Sequence, residues 1–147
     1  MTRVSRELVV ASPPEDVFAA LADPDAHPRW RPAVESFRVV DGEPPLRLGS
    51  RVEELVRYRS KEYRSLLEVT RFEPGRAITF HALEAVFPFT LAAELSVDGP
   101  AATRFRFVLD FERPRFWGVP VPFFGLLMGR SLQEEAERLK ELVERRR

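Results

Sequence analysis

Cysteine is absent from the 147-residue chain, which excludes disulfides, thiolate nucleophiles, iron–sulfur clusters and cysteine-bound zinc. Histidine occurs only as His27 and His81, and neither stands in an HExxH or facial-triad spacing, so a protein-bound metal is not expected. There is no GxSxG elbow, no Walker loop and no GxGxxG turn, which removes support for covalent catalysis and nucleotide binding, and no cofactor is expected. Nor is there an excess of one charge: 23 basic residues balance 23 acidic ones, and a nucleic-acid partner would usually show a basic surplus. No run approaches the ~18 apolar residues of a membrane span, so stable membrane insertion is not expected. Met1 to Arg6 leads into an alternating segment rather than a signal-peptide core, and the expectation is a single cytoplasmic domain over 1–147.

What is present is a legible order of elements. Val4, Arg6, Leu8 and Val10 alternate with their neighbours and predict a strand. Ser12-Pro13-Pro14-Glu15 follows, which reads as an N-cap, a first-turn proline and a capping box opening a helix through Ala22. Asp23-Pro24 repeats the cap-then-proline pattern for a second short helix, ended near Pro28 or Pro32. Six strands are then predicted: Ser36 to Asp41, Arg51 to Arg59, Tyr63 to Phe72, Ala77 to Ala82, Phe87 to Val97, and Phe105 to Phe111. Their turns are short, so neighbouring strands pair antiparallel. A final helix runs from about Pro122 to Arg145, with Phe124, Met128, Leu132, Ala136, Leu139 and Val143 as its apolar stripe.

These pieces make an α+β protein: a seven-stranded antiparallel sheet curled around a long C-terminal helix, with two short helices after the first strand. A helix about 10–12 Å across cannot fill such a curl. Either aromatic side chains close the gap or a cavity remains, and a core with no cavity beyond ~300 Å³ would point instead to an interaction role.

The run from Ser12 to Pro24, followed by Pro28-Arg29-Trp30, resembles the N-terminal signature of the START-like (SRPBCC) superfamily. Gly49-Ser50-Arg51-Val52, the segment Glu68 to Pro74, and Ala102-Thr103-Arg104-Phe105 resemble its polyketide cyclase/dehydrase-type group. The resemblance spans essentially the whole chain and implies a helix-grip fold with a deep hydrophobic pocket between helix and sheet. It says little about activity, because one fold hosts many functions.

Pairing the strands with Ser60-Lys61 as the turn sets Tyr58 against Tyr63, Val56 against Ser65, Glu54 against Leu67 and Val52 against Val69. The inner wall then carries four polar groups: Glu54, Tyr58, Tyr63 and Ser65. A desolvated Glu54 beside a tyrosine phenol could act as general base or acid in cyclisation or dehydration of a polyketide-like chain. The alternative places Glu54 at the mouth or outside, paired with an arginine. His81 falls on the outer parity, and a structural or solvated His27 fits better than a catalytic one. Trp30 either lines the entrance or pins the second helix to the sheet. Trp117 belongs to an apolar segment from Phe116 to Met128 that is either a hydrophobic lip or the buried lead-in to the last helix.

Two functions fit. One is binding of a small hydrophobic molecule (a lipid, isoprenoid or polycyclic aromatic) by a wall of Trp30, Val56, Leu67, Phe80, Phe89, Leu91, Phe105, Phe107 and Leu109, with Phe124, Met128 and Leu132 from the helix. The other is an enzyme using Glu54 with Tyr58 or Tyr63. Twelve phenylalanines against two tyrosines and two histidines favour binding. The oligomeric state is not written in the chain.

Overall fold

The computed structural model describes residues 2–112 and 121–146, with side chains from Leu126 onward in the second segment. Strand β1 (Thr2–Val10) leads into helix α1 (Pro14–Ala22), a single 3-10 turn (Pro24–Ala26) and a one-turn helix α2 (His27–Trp30). Strands β2 (Val34–Asp41), β3 (Arg51–Tyr58), β4 (Lys61–Glu73), β5 (Ala77–Glu84), β6 (Phe89–Val97) and β7 (Thr103–Phe111) follow, and helix α3 (Val121–Arg145) closes the order. All neighbours pair antiparallel in one sheet of order β1-β7-β6-β5-β4-β3-β2. The first strand therefore returns to the edge beside the last, and β2 forms the opposite edge.

Alternation decides which face of this sheet is dry. In β7, Phe105, Phe107 and Phe111 are buried, and β6 presents Leu91, Ala93 and Leu95 on the same side. The other face carries cross-strand ion pairs: Arg3 with Asp110 at 2.7 Å, Arg104 with Glu7 at 2.7 Å, and Arg106 with Glu94 at 3.4 Å. Exposed pairs of this kind contribute about 0–1 kcal/mol each, so they mark the wet face more than they stabilise it. The buried stripe of α3, Leu132, Ala136, Leu139 and Val143, lies on the dry face.

Two local expectations change. Ser12 does not cap α1; its hydroxyl donates to Asp16 Oδ2 at 3.0 Å, and Pro13 occupies the cap position with no side-chain bond. The second cap does form, because the Asp23 carboxylate accepts from the Asp25 N–H at 3.0 Å. The β3–β4 register also differs from the sequence pairing. Tyr58 opposes Lys61, Val56 opposes Tyr63, Glu54 opposes Ser65 and Val52 opposes Leu67. The turn is Arg59-Ser60, both at positive φ (51° and 66°), the backbone that lets a two-residue hairpin match the sheet's right-handed twist. Moving the turn by one residue shifts the pairing by two, and two is the side-chain period of a strand. Glu54 therefore still faces inward. Across the next turn β4 sets Val69 against Phe80 and Leu67 against Ala82.

Candidate functional site

The trough between sheet and α3 has a filled end and a hollow end. At the filled end His27 stacks on Phe37 (centroids 3.8 Å apart, planes within 5°), and Phe80 meets both rings edge-on. Trp30 packs on Phe107 at 5.7 Å, and Phe107 on Phe105 at 5.2 Å. These rings, with Leu67, are buried in the core. Trp30, Leu67, Phe80, Phe105 and Phe107, expected on the ligand wall, are thus packed in the core and do not line the hollow. Trp30 is part of the plug and not an entrance residue, because the α2 turn folds its indole inward.

His27 belongs to the same plug. Its Nε2–H donates to the Leu21 carbonyl at 2.8 Å, while Nδ1 is buried without a partner. Burial, reinforced by the nearby Arg31 charge, lowers its pKa to about 3. A neutral ring in a stack is a packing element, not a proton donor near pH 7. His81 is on the outer face, beside Thr90 Oγ1 at 3.1 Å.

The hollow end holds a cavity of about 210 Å³. Strands β6 and β7 supply Phe89, Leu91 and Leu109, strand β3 supplies Val56, and helix α3 supplies Met128 and Leu132. Six of the expected ligand-contact residues therefore meet in one place. Tyr58, Tyr63 and Ser65 also line it, as does Glu54. Phe124 and Trp117 lie outside the residues whose side chains are described, as does the hydrophobic-lip segment before Leu126. The volume falls short of the ~300 Å³ at which pockets for drug-sized ligands begin, so by size alone the expectation met is the interaction role; the apolar lining with polar groups on one side is what speaks for a ligand. The rings of the plug pack against one another in the core and leave no space among themselves for a ligand.

One side of the cavity is charged. Arg31 directly follows α2 and is 7% exposed. Its Nη1 donates to Glu54 Oε2 at 2.6 Å, and its Nε lies 3.4 Å from Glu135 Oε1 on α3, within ion-pair distance but outside hydrogen-bond geometry. All three side chains border the hollow. Burial opposes the Arg31 charge, but the two carboxylates outweigh it and raise the guanidinium pKa. Burial pushes the Glu135 carboxyl up to about 6; Arg31 partly restrains that rise and Glu54 adds to it. The two expectations for Glu54 are both met in part, since it is inside and it is paired with an arginine.

Sequence reasoning missed Arg31 and Glu135 as members of the site. Glu135 was legible, for it stands seven residues after Met128 and four before Leu139, on the helix's buried stripe. Arg31 carried no comparable signal, because it sits between Trp30 and Pro32 in an aperiodic stretch. Among the described residues no group of histidine, aspartate and glutamate is arranged to hold a metal ion. No described helix is long and apolar enough to cross a membrane.

The family model described as polyketide cyclase / dehydrase and lipid transport matches residues 1–144. The chain belongs to that family. Solved structures with the same fold include a START superfamily protein from Mycobacterium smegmatis, 21% identical, with a TM-score of 0.85 over 99% of both chains. TTHA0849 from Thermus thermophilus is 23% identical, with a TM-score of 0.82 over 97% of each chain. The Zhui aromatase/cyclase from Streptomyces sp. R1128 is 18% identical, with a TM-score of 0.78 over 99% of this chain and 94% of that one. At these identities the likeness establishes the helix-grip fold alone. No curated protein matches the sequence.

Proposed function

We propose that this family member binds a small hydrophobic molecule in the cavity between α3 and the sheet. The observation that carries the proposal is the cavity itself: an apolar hollow walled by Val56, Phe89, Leu91, Leu109, Met128 and Leu132, with polar groups gathered on one side. Such a site orients a ligand by its polar atoms and holds it by burial. Its size narrows the class. An apolar cavity of roughly 150 Å³ admits benzene, so about 210 Å³ suits one or two rings or a short branched chain, smaller than the polycycles and lipids expected from sequence.

A second reading, an acid–base enzyme of the cyclase or dehydratase type, is supported by one observation. Glu135, with its pKa near 6, borders the same cavity as Tyr58 and Tyr63. A general acid or base works best when its pKa lies close to the operating pH. Glu54 is the less available carboxylate, since Arg31 holds one of its oxygens.

Native mass spectrometry of the protein mixed with one- and two-ring aromatics tests the binding proposal. A one-to-one complex is expected, and it should be lost in Leu109→Trp, where the indole takes the ligand's space. Absence of any complex across the panel, with no rise in melting temperature, would overturn it.

A further inference from the structure

Among the described residues the charges around the cavity do not balance. Glu54 and Glu135 bring two carboxylates to its wall, and Arg31 is the cation that meets both. His27, which also lies near Arg31, is committed to Leu21 through Nε2 and stacked on Phe37. The carboxylates lie on different elements, β3 and α3, and among the described residues they share the Arg31 guanidinium. Glu54 meets it through Oε2 and Glu135 through Oε1. A buried carboxylate without a full counter-charge is costly, and the cost is relieved by a proton or by a cation.

Resting on the ligand-binding proposal, we propose that the cavity selects a small hydrophobic amine, its apolar body against Leu91 and Leu109 and its ammonium group between Glu54 and Glu135. The ammonium supplies the positive charge that Arg31 alone does not. It also brings up to three N–H donors to a site rich in carboxylate acceptors. A carboxylate ligand would add a third negative charge, and a neutral ligand would leave the imbalance in place.

The preference depends on pH. The ionisable groups around Glu135 are Arg31 after α2, Glu54 on β3, Glu134 on its own helix, and Tyr58 and Tyr63 on the cavity wall. Glu135 changes charge near pH 6. Below that pH its proton neutralises the site and competes with the amine. Above it the amine is favoured.

Three probes of like size separate the possibilities in calorimetric titrations: 2-phenylethylamine, 2-phenylethanol and phenylacetate. At pH 7.5 the amine should bind about tenfold or more tightly than the alcohol, the gain expected of a charge-assisted bond in a dry site. Phenylacetate should bind most weakly, and the amine's advantage should shrink at pH 5. Glu135→Gln should bring the amine-to-alcohol affinity ratio to about one. Glu54→Gln should do the same should the first variant fail to fold. Equal affinity for amine and alcohol, or an advantage that survives in both variants, would overturn the amine proposal while leaving hydrophobic binding standing. Failure of all three probes to bind would overturn both.

Discussion

Arg31 holds the polar side of the cavity together at the scale of single residues. Its side chain joins the segment after α2 to β3 and to α3 through Glu54 and Glu135. It also lies 5.8 Å from the ring centres of Trp30 and Phe37, so the cation faces aromatic surface as well as carboxylate. Replacing it leaves two buried carboxylates facing each other without a cation, and breaking a buried ion pair by removing one partner typically costs about 3–5 kcal/mol. Arg31→Met should therefore lower unfolding free energy by about that much in urea titrations. The triple variant Arg31→Met, Glu54→Gln, Glu135→Gln should recover most of the loss, because no charge is then left buried. A single variant within about 1 kcal/mol of wild type would show that the triad contributes little to stability.

At the scale of elements, the β3–β4 hairpin shows both how far sequence carries and where it stops. Arg59 and Ser60 occupy the left-handed region, at φ 51° and 66°, a conformation that costs ordinary L-residues roughly 1–2 kcal/mol each. Nothing in Tyr58-Arg59-Ser60-Lys61 announces that turn, since asparagine and glycine, the usual occupants, are absent from it. Sequence alone accordingly places the turn one residue late. The period-two pattern of Val52, Glu54, Val56 and Tyr58 survives the error, and so does the inward face. Arg59→Asn with Ser60→Gly should stabilise the protein by about 1 kcal/mol or more. The lost approach of Arg59 to the Tyr58 ring, 5.4 Å, offsets only about 0.5–1 kcal/mol at an exposed site. An unchanged or lower urea midpoint would contradict the assignment of that turn as strained.

Helix α3 offers the opposite lesson. Its boundaries and its buried stripe are readable because the 3.6-residue period runs for 25 residues. At Gly129 a Cβ would meet the tip of the Arg6 side chain (Nη2 at 2.5 Å) and Val4 Cγ1 at an ordinary 3.5 Å, so a larger residue there needs the guanidinium to move aside. Glu135 shares the stripe yet escapes a reading by polarity, since charge on a helix normally signals a wet face.

At the scale of the whole molecule, the order of elements, the sheet and the gripping helix were all legible in the chain. The content of the trough was not. Counting apolar residues on the inner face cannot say which of them meet each other across the gap and which border empty space. That depends on where α2 directs His27 and Trp30, and they fill one end with Phe37, Phe80 and Phe107. The remaining cavity of about 210 Å³ is what the functional account stands on. Xenon enters empty apolar cavities of this size, so a crystal of the unliganded protein under xenon pressure tests it most directly. The account predicts a xenon atom bordered by Leu91, Leu109 and Met128, displaced when a small aromatic is soaked in. Side chains packed through that space, with no xenon between helix and sheet, would contradict it.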